Sequence, residues 1–199
     1  MFGLRRKTFS CGLQLQDHQF KLAAVAGNER LQIRQIRSAS LPEGAIRDGR
    51  IHDADAVVSA IRKMAAELSL AGKSVVLTIP TSSVVLRRSV FPARKEEDLR
   101  GLIDVELSGN ESLLPFRNPV FDFVRIGESE KGTEVVIFAS PAEVVSQYVQ
   151  AARSAGLNPT AVDVAPLALL RVLKRCLKAT GGTLPGSFMI LNAESEMVE

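Results

Sequence analysis

Three short stretches carry residue types that could do chemistry. Gly72-Lys73-Ser74 ends like a phosphate-binding loop, whose backbone amides and lysine would hold the phosphates of a nucleotide. The earlier glycine that such a loop needs falls on Glu67, and the stretch stands between a predicted helix and a following strand, the reverse of the required order. It reads as a helix stop and a strand start. His52-Asp53 sets a base beside a carboxylate, but no Gly-x-Ser-x-Gly elbow supplies a nucleophile, and Asp53 is placed to cap a helix. Cys11 and Cys176 lie far apart, in a strand pattern and an apolar helix pattern, and are expected to be buried, reduced thiols. His18 and His52 are not spaced with either cysteine as metal ligands. Neither a catalytic set nor a metal site is expected.

The elements that would have to position any site begin with strands. Cys11, Leu13 and Leu15 alternate with Gly12, Gln14 and Gln16; Phe20, Leu22, Ala24 and Ala26 alternate after a turn at Asp17-His18. Gly27-Asn28 marks a second turn before Leu31, Ile33 and Ile36, so three strands form an antiparallel meander. A turn-rich segment, 41–49, precedes a helix whose apolar residues Ala54, Val57, Val58, Ile61, Met64, Ala65 and Leu68 recur at helical spacing and which Gly72 ends. Val75 to Pro80 reads as a buried strand.

Residues 84–157 read as a second block: a strand from Val84 to Phe91, a helix opened by Glu96, Glu97 and Asp98, and strands from Val120 to Ile126 and Thr133 to Ala139. Its second helix starts at Ser140-Pro141-Ala142-Glu143, the pattern of a capping box, with Val144, Val145, Tyr148, Val149 and Ala152 on the buried face. A strand from Thr160 to Val164, a leucine-rich helix from Pro166 to Lys178 and a final strand from Phe188 to Leu191 follow. Strands and helices in this order predict a mixed α/β protein with a helix-covered sheet.

Composition narrows the functional classes. Hydrophobic residues make up 46% and charged residues 24%, which predicts a packed core. Nine Phe, one Tyr and no Trp leave little from which to build a stacking platform for single-stranded nucleic acid. The net charge of +3 is small and its cations are scattered, so no nucleic acid is expected as a partner. The basic start (Arg5, Arg6, Lys7) is not followed by an apolar stretch, and no run approaches a membrane span, so the expected location is the cytoplasm.

Five segments, in this order along the chain, carry a resemblance: Met1-Phe2-Gly3-Leu4; Leu41-Pro42-Glu43-Gly44-Ala45-Ile46-Arg47-Asp48-Gly49-Arg50-Ile51; Val76-Leu77-Thr78-Ile79-Pro80; Leu114-Pro115-Phe116; and Ala155-Gly156-Leu157-Asn158-Pro159-Thr160-Ala161-Val162-Asp163-Val164. As a set they resemble the type IV pilus assembly protein PilM family. The resemblance implies an actin-like (ribonuclease H-like) fold related to the cell-division protein FtsA. It implies a large subdomain from residues 1–83 and 158–185, an inserted small α+β subdomain from 84–157, and in 186–199 the first strand of a second lobe. It also implies a scaffold at the cytoplasmic face of the inner membrane, holding the short cytoplasmic tail of the membrane protein PilN between the two subdomains.

Actin-like ATPases hold nucleotide between two lobes, each giving a glycine-containing turn and a carboxylate. The resemblance places the first such loop, roughly Gly-x-Asp-x-Gly followed by small residues and Lys, on Gly12 to Lys21. Gly12 and Lys21 match, but the aspartate has become Gln14, the glycine Gln16, and the small residues Asp17, His18 and Gln19. Bulky side chains block close approach of phosphate and a further carboxylate repels it. In the second loop the aspartate and glycine fall on Ile190 and Asn192, followed by Glu194, Ser195 and Glu196. No cofactor is therefore expected here, ATP being left to full-length relatives.

Contact surfaces remain. Leu113, Leu114, Pro115 and Phe116 are apolar residues in a proline-broken loop, suited either to anchor a partner's peptide or to fold back into the small subdomain's core. Arg87, Arg88, Arg94 and Lys95 would read an acidic partner or lipid headgroups, or form a solvated face. An exposed strand at Phe188 to Leu191 would favour a homo-oligomer by edge pairing. The rival functions are an actin-like ATPase completed by a further lobe, and the cytoplasmic part of a type II secretion protein.

Overall fold

The computed structural model describes residues 9–26, 32–92, 95–109 and 114–190. Strands β1 (Phe9–Leu15), β2 (Gln19–Ala26) and β3 (Gln32–Ser40) form the expected meander. A two-residue turn joins the short strands β4 (Ile46–Arg47) and β5 (Arg50–Ile51). Helix α1 (Ala54–Glu67) leads to β6 (Ser74–Ile79), and β10 (Asn158–Val164) comes much later in the chain. Five of these strands make one sheet in the order β10-β6-β1-β2-β3, in which β10, β6 and β1 pair in parallel and β2 runs antiparallel to both β1 and β3, while β4 and β5 pair with each other. Mixed pairing of this kind is the actin-like, ribonuclease H-like arrangement expected from the resemblance.

Strand alternation sorts the side chains. Cys11, Leu13, Leu15, Phe20, Leu22, Ala24, Ala26, Val75, Leu77 and Ile79 are buried on one face. Asp53 caps α1, its Oδ1 accepting from the Ala56 N–H at 3.0 Å. Val57, Ile61, Met64 and Ala65 form the helix's buried stripe. The helix stops at Leu68, ahead of Gly72, because Ser69 turns left-handed at φ 55°. Ile33 and Ile36 of β3 are exposed. The register slips between Ala24 and Val25, which face Gln35 and Ile33 respectively. That bulge puts both isoleucines on the same side of the sheet as Ala23 and Val25, away from the core.

The inserted block holds β7 (Val85–Phe91), α2 (Glu96–Gly109), β8 (Pro119–Ser129) and β9 (Gly132–Pro141), with a three-stranded antiparallel sheet in the order β7-β9-β8. Leu99, Ile103 and Leu107 of α2 pack with Phe91, Leu114, Val135, Ile137 and Ala139 in its core. Gly132 closes the β8–β9 turn at φ 129°, where a Cβ would collide with the Phe91 carbonyl oxygen, so only glycine fits.

Helix α3 (Ala142–Ser154) packs beside α1 and against β5, β6 and β10, and also touches β8 and β9. By packing it belongs with the larger sheet, although its sequence position groups it with the inserted block. Its buried residues are Val144, Tyr148, Ala151 and Ala152. The capping box at its start does not form: Pro141 is the N-cap and makes no side-chain cap bond, while Ser140 remains in β9. The β8–β9 ladder continues to Pro119–Pro141, which holds Ser140 in extended geometry, and the Ala142 N–H donates to the Asn118 carbonyl at 3.0 Å.

The chain divides into two compact units, Met1–Ala165 and Pro166–Glu199, a boundary inside the 158–185 segment. Helix α4 (Ala165–Ala179) opens the second unit. Cys176 on it is exposed, so the expectation of two buried thiols holds for Cys11 alone. The Cys11 thiol donates to the Ser74 carbonyl at 3.3 Å, and burial pushes its pKa up to about 11. Phe188 to Ile190 form no strand, and Leu191 lies outside the described residues. A strand is stabilised by its neighbour's ladder, and among the described residues none pairs with this segment.

Candidate functional site

The residues matched to the first phosphate loop sit in or beside a regular β ladder. Gly12 and Gln14 are β1 residues facing Ala23 and Lys21 of β2, and Gln16 follows the strand end. The turn is tight: the Gln16 N–H donates to the Gln19 carbonyl at 2.9 Å. Asp17 at its tip is held elsewhere. Its carboxylate accepts from the backbone N–H groups of Asp48 and Gly49 at 3.0 and 3.4 Å, joining the β1–β2 turn to the β4–β5 turn. Asp48 and Gly49 both have positive φ, 50° and 71°, as a two-residue hairpin turn requires. Successive amides in this conformation make an anion-binding concavity, and Asp17 fills it. A side chain at Gly49 would also strike the Ser83 hydroxyl. Of the second loop, Ile190 lies in irregular chain, and Asn192, Glu194, Ser195 and Glu196 lie outside the described residues.

The hairpin is tied to α3 as well. The Ile51 N–H donates to the Gln147 side-chain oxygen at 3.2 Å, and Arg50 meets Glu143 at 3.2 Å. Tyr148 is fully buried beneath, and burial together with the nearby Asp17 charge raises its phenol pKa well above the ordinary value. Sequence reading found the turn at Asp17 but not its role, because the two turns are thirty residues apart in the chain. Gly72-Lys73-Ser74 is the connector it was read as: the Gly72 N–H donates to the Gly156 carbonyl at 2.7 Å and Ser74 opens β6.

The expected anchor loop divides. Leu114 is core, with 7% of its surface exposed, so it is not a free anchor. A proline-broken loop beside an amphipathic helix can turn its leucine inward, where it joins Leu107 and Ile103. Phe116 is half-buried against that core, Pro115 is exposed, and Leu113 lies outside the described residues. Together the loop lines a cavity of ≈ 770 Å³. The other walls are Asp104, Leu107 and Ser108 from the second half of α2, Arg117 to Pro119, and Ala142 at the start of α3. Sequence reading missed the α2 wall, although its signal was present: Leu107 continues the Leu99–Ile103 stripe, which turns Asp104 and Ser108 towards its edge.

Chemically the cavity has an apolar floor and a polar rim. Leu107, Leu114 and Phe116 offer hydrocarbon and an aromatic face, while Asp104, Ser108, Arg117 and Asn118 bring charge and hydrogen-bonding groups. That combination suits an extended peptide with one or two apolar anchors. Among the described residues no three His, Cys, Asp or Glu side chains converge to hold a metal ion. Arg87 and Arg88 do not form a shared cationic face: they alternate along β7, Arg87 reaching Glu106 at 3.9 Å and Arg88 pairing with Glu134. Arg94 lies outside the described residues, and Lys95 borders a shallow hollow beside α2. Among the described residues no helix is long and apolar enough to cross a membrane.

The sequence profile of the type IV pilus assembly protein PilM family matches residues 12–191. A solved PilM-PilN type IV pilus biogenesis complex is similar in structure, with a TM-score of 0.75 and 26% identity, covering 84% of this chain and 51% of that one. The cytoplasmic domain of EpsL, an inner-membrane component of the type II secretion system of Vibrio cholerae, matches at a TM-score of 0.53 and 11% identity, covering 77% of this chain and 56% of that one. The second likeness is one of fold alone. This chain spans about half of the PilM chain it resembles. Among curated proteins, none matches.

Proposed function

The chain belongs to the type IV pilus assembly protein PilM family, and on that premise we propose that it is a non-catalytic docking scaffold of the pilus assembly platform. Its partner is the cytoplasmic tail of a PilN-like membrane protein, which keeps the scaffold at the cytoplasmic face of the inner membrane. The observation that carries this reading is the cavity of ≈ 770 Å³ built by the Leu114–Pro119 loop and α2. Its apolar floor and polar rim are those of a peptide site. The likeness to a PilM chain solved with PilN supports the choice of partner.

The absence of catalysis is part of the proposal. Gly12 and Gln14 lie within a β ladder, and the Asp48 and Gly49 amides already hold the Asp17 carboxylate. A phosphate at that turn would have to displace a charge fixed by two hydrogen bonds.

A titration with a labelled peptide from a PilN-like tail, repeated with Mg-ATP, tests both parts. Saturable binding that ATP leaves unchanged is expected. Phe116→Ala is expected to weaken it about tenfold, since it removes the half-buried aromatic wall. Ser108→Arg, which fills the cavity from an exposed position, is expected to do the same without touching the core. Binding only in the presence of ATP would overturn the non-catalytic reading. Peptide binding indifferent to both substitutions would move the docking site elsewhere.

A further inference from the structure

The five-stranded sheet has two unlike edges. At one, β10 carries Pro159 with a register slip beside it, features that deter further pairing. At the other, β3 runs for nine residues with neither proline nor glycine, and all of them but Ala39 are exposed. The direction of its backbone groups follows from the ladder. Just past the strand the Leu41 N–H donates to the His18 carbonyl at 2.8 Å, and direction alternates from there. Ala39, Arg37 and Gln35 therefore turn their N–H and C=O groups towards β2, while Ser40, Ser38 and Ile36 turn theirs outward. Among the described residues nothing pairs with that outward row.

The side chains differ on the two sides of this edge. Ile36 stands opposite Ala23 and Ile33 opposite Val25, on the side away from the core, where they are 58% and 65% exposed. Arg37 stands opposite Leu22, on the other side, and Arg34 is the extra residue of the bulge. Arg50, Arg88, Arg100 and Arg125 each pair with an acid. Arg34 and Arg37 have no such partner among the described residues.

We infer that the β3 edge takes up an extended acidic segment of another protein as a further strand of the sheet. Main-chain bonds to Ile36, Ser38 and Ser40 hold the added strand, and its side-chain alternation sets the fit. A strand in which aliphatic residues alternate with acids places the former beside Ile36 and the latter beside Arg37.

Charge selects this occupant over a second copy of the chain. β3 contains two arginines and no acid. In the antiparallel registers that pair Ile36 with Ile36, Ser38 or Ser40 of a second copy, Arg37 faces Gln35, Arg37 or Ala39. It never faces a carboxylate, and the joint gathers the arginines of both copies without compensation. The outward row of main-chain groups selects a strand over an anionic lipid surface, which would answer the arginines but has no ladder to offer.

A fluorescent, end-capped peptide of alternating valine and glutamate, as long as β3, tests the inference at low ionic strength. Saturable binding is expected, with hydrogen exchange slowed at the Ile36, Ser38 and Ser40 amides. The same peptide with lysine in place of glutamate should bind about tenfold more weakly, and the double variant Arg34→Glu, Arg37→Glu should reverse that preference. Ser38→Pro removes an outward N–H without breaking a β2–β3 bond, so it should weaken binding about tenfold and leave circular dichroism unchanged. No binding, or equal binding of the two peptides by the wild-type chain, overturns the proposal. So does binding that neither the double variant nor Ser38→Pro alters. Slow exchange of the three amides in the protein alone, appearing only at millimolar concentration, would put a second copy on this edge and overturn it too.

Discussion

At the scale of single residues, the informative side chain is Asp17. In the sequence it is an extra carboxylate in a stretch matched to a phosphate loop. In the structure it closes an anion-binding turn of the same chain, accepting from the Asp48 and Gly49 amides. A carboxylate held by two backbone donors stabilises the link between the turns and competes with any incoming anion. Asp17→Ala is therefore expected to cost about 1 kcal/mol in urea unfolding, since the site is only partly sheltered from water. Retained stability would mean that solvent satisfies those amides equally well.

Elements explain where the proposed docking cavity comes from. Helix α2 turns Leu99, Ile103 and Leu107 inward and leaves Leu102 and Val105 outward. Arg100 sits over the Phe121 and Phe123 rings at 5.6 and 5.4 Å and pairs with Asp122, clamping the helix to β8. The Leu114–Asn118 loop closes against that helix, so the cavity depends on how the helix is seated. Ile103→Ala is expected to cost about 2–5 kcal/mol and weaken peptide binding with it. Val105→Ala, at a position 70% exposed, should stay within about 0.5 kcal/mol and leave binding alone. Equal losses at both positions, read from urea midpoints and peptide titrations, would contradict this helix orientation.

For the molecule as a whole, the two thiols report on cooperative opening. Cys11 stands in β1 between β2 and β6, whereas Cys176 is exposed. One thiol per folded chain should react quickly with a thiol reagent at pH 8, the second only at the rate of global opening. Burial raises the Cys11 pKa from 9.0 to about 11. Between those values the folded state keeps a proton that the unfolded state has lost, so stability should fall as pH rises through that window. Cys11→Ala should flatten that slope. Fast reaction of both thiols in the folded protein would show that the β1 side of the sheet opens locally.

Much was determined by sequence alone. The alternation in β1 and β2, the Asp53 cap and the α1 stripe each depend on neighbours within a few residues, and all appear as expected. Three features required the tertiary structure. Ser140 stayed in β9 because a paired strand outweighed a local capping signal, and Phe188 to Ile190 formed no strand without a ladder beside them. Leu114 turned inward because α2 offered it a core, so the loop became one wall of a cavity. The common reason is range. Periodicity and capping act within one element, whereas pairing, burial and the walls of a site depend on residues tens of positions away.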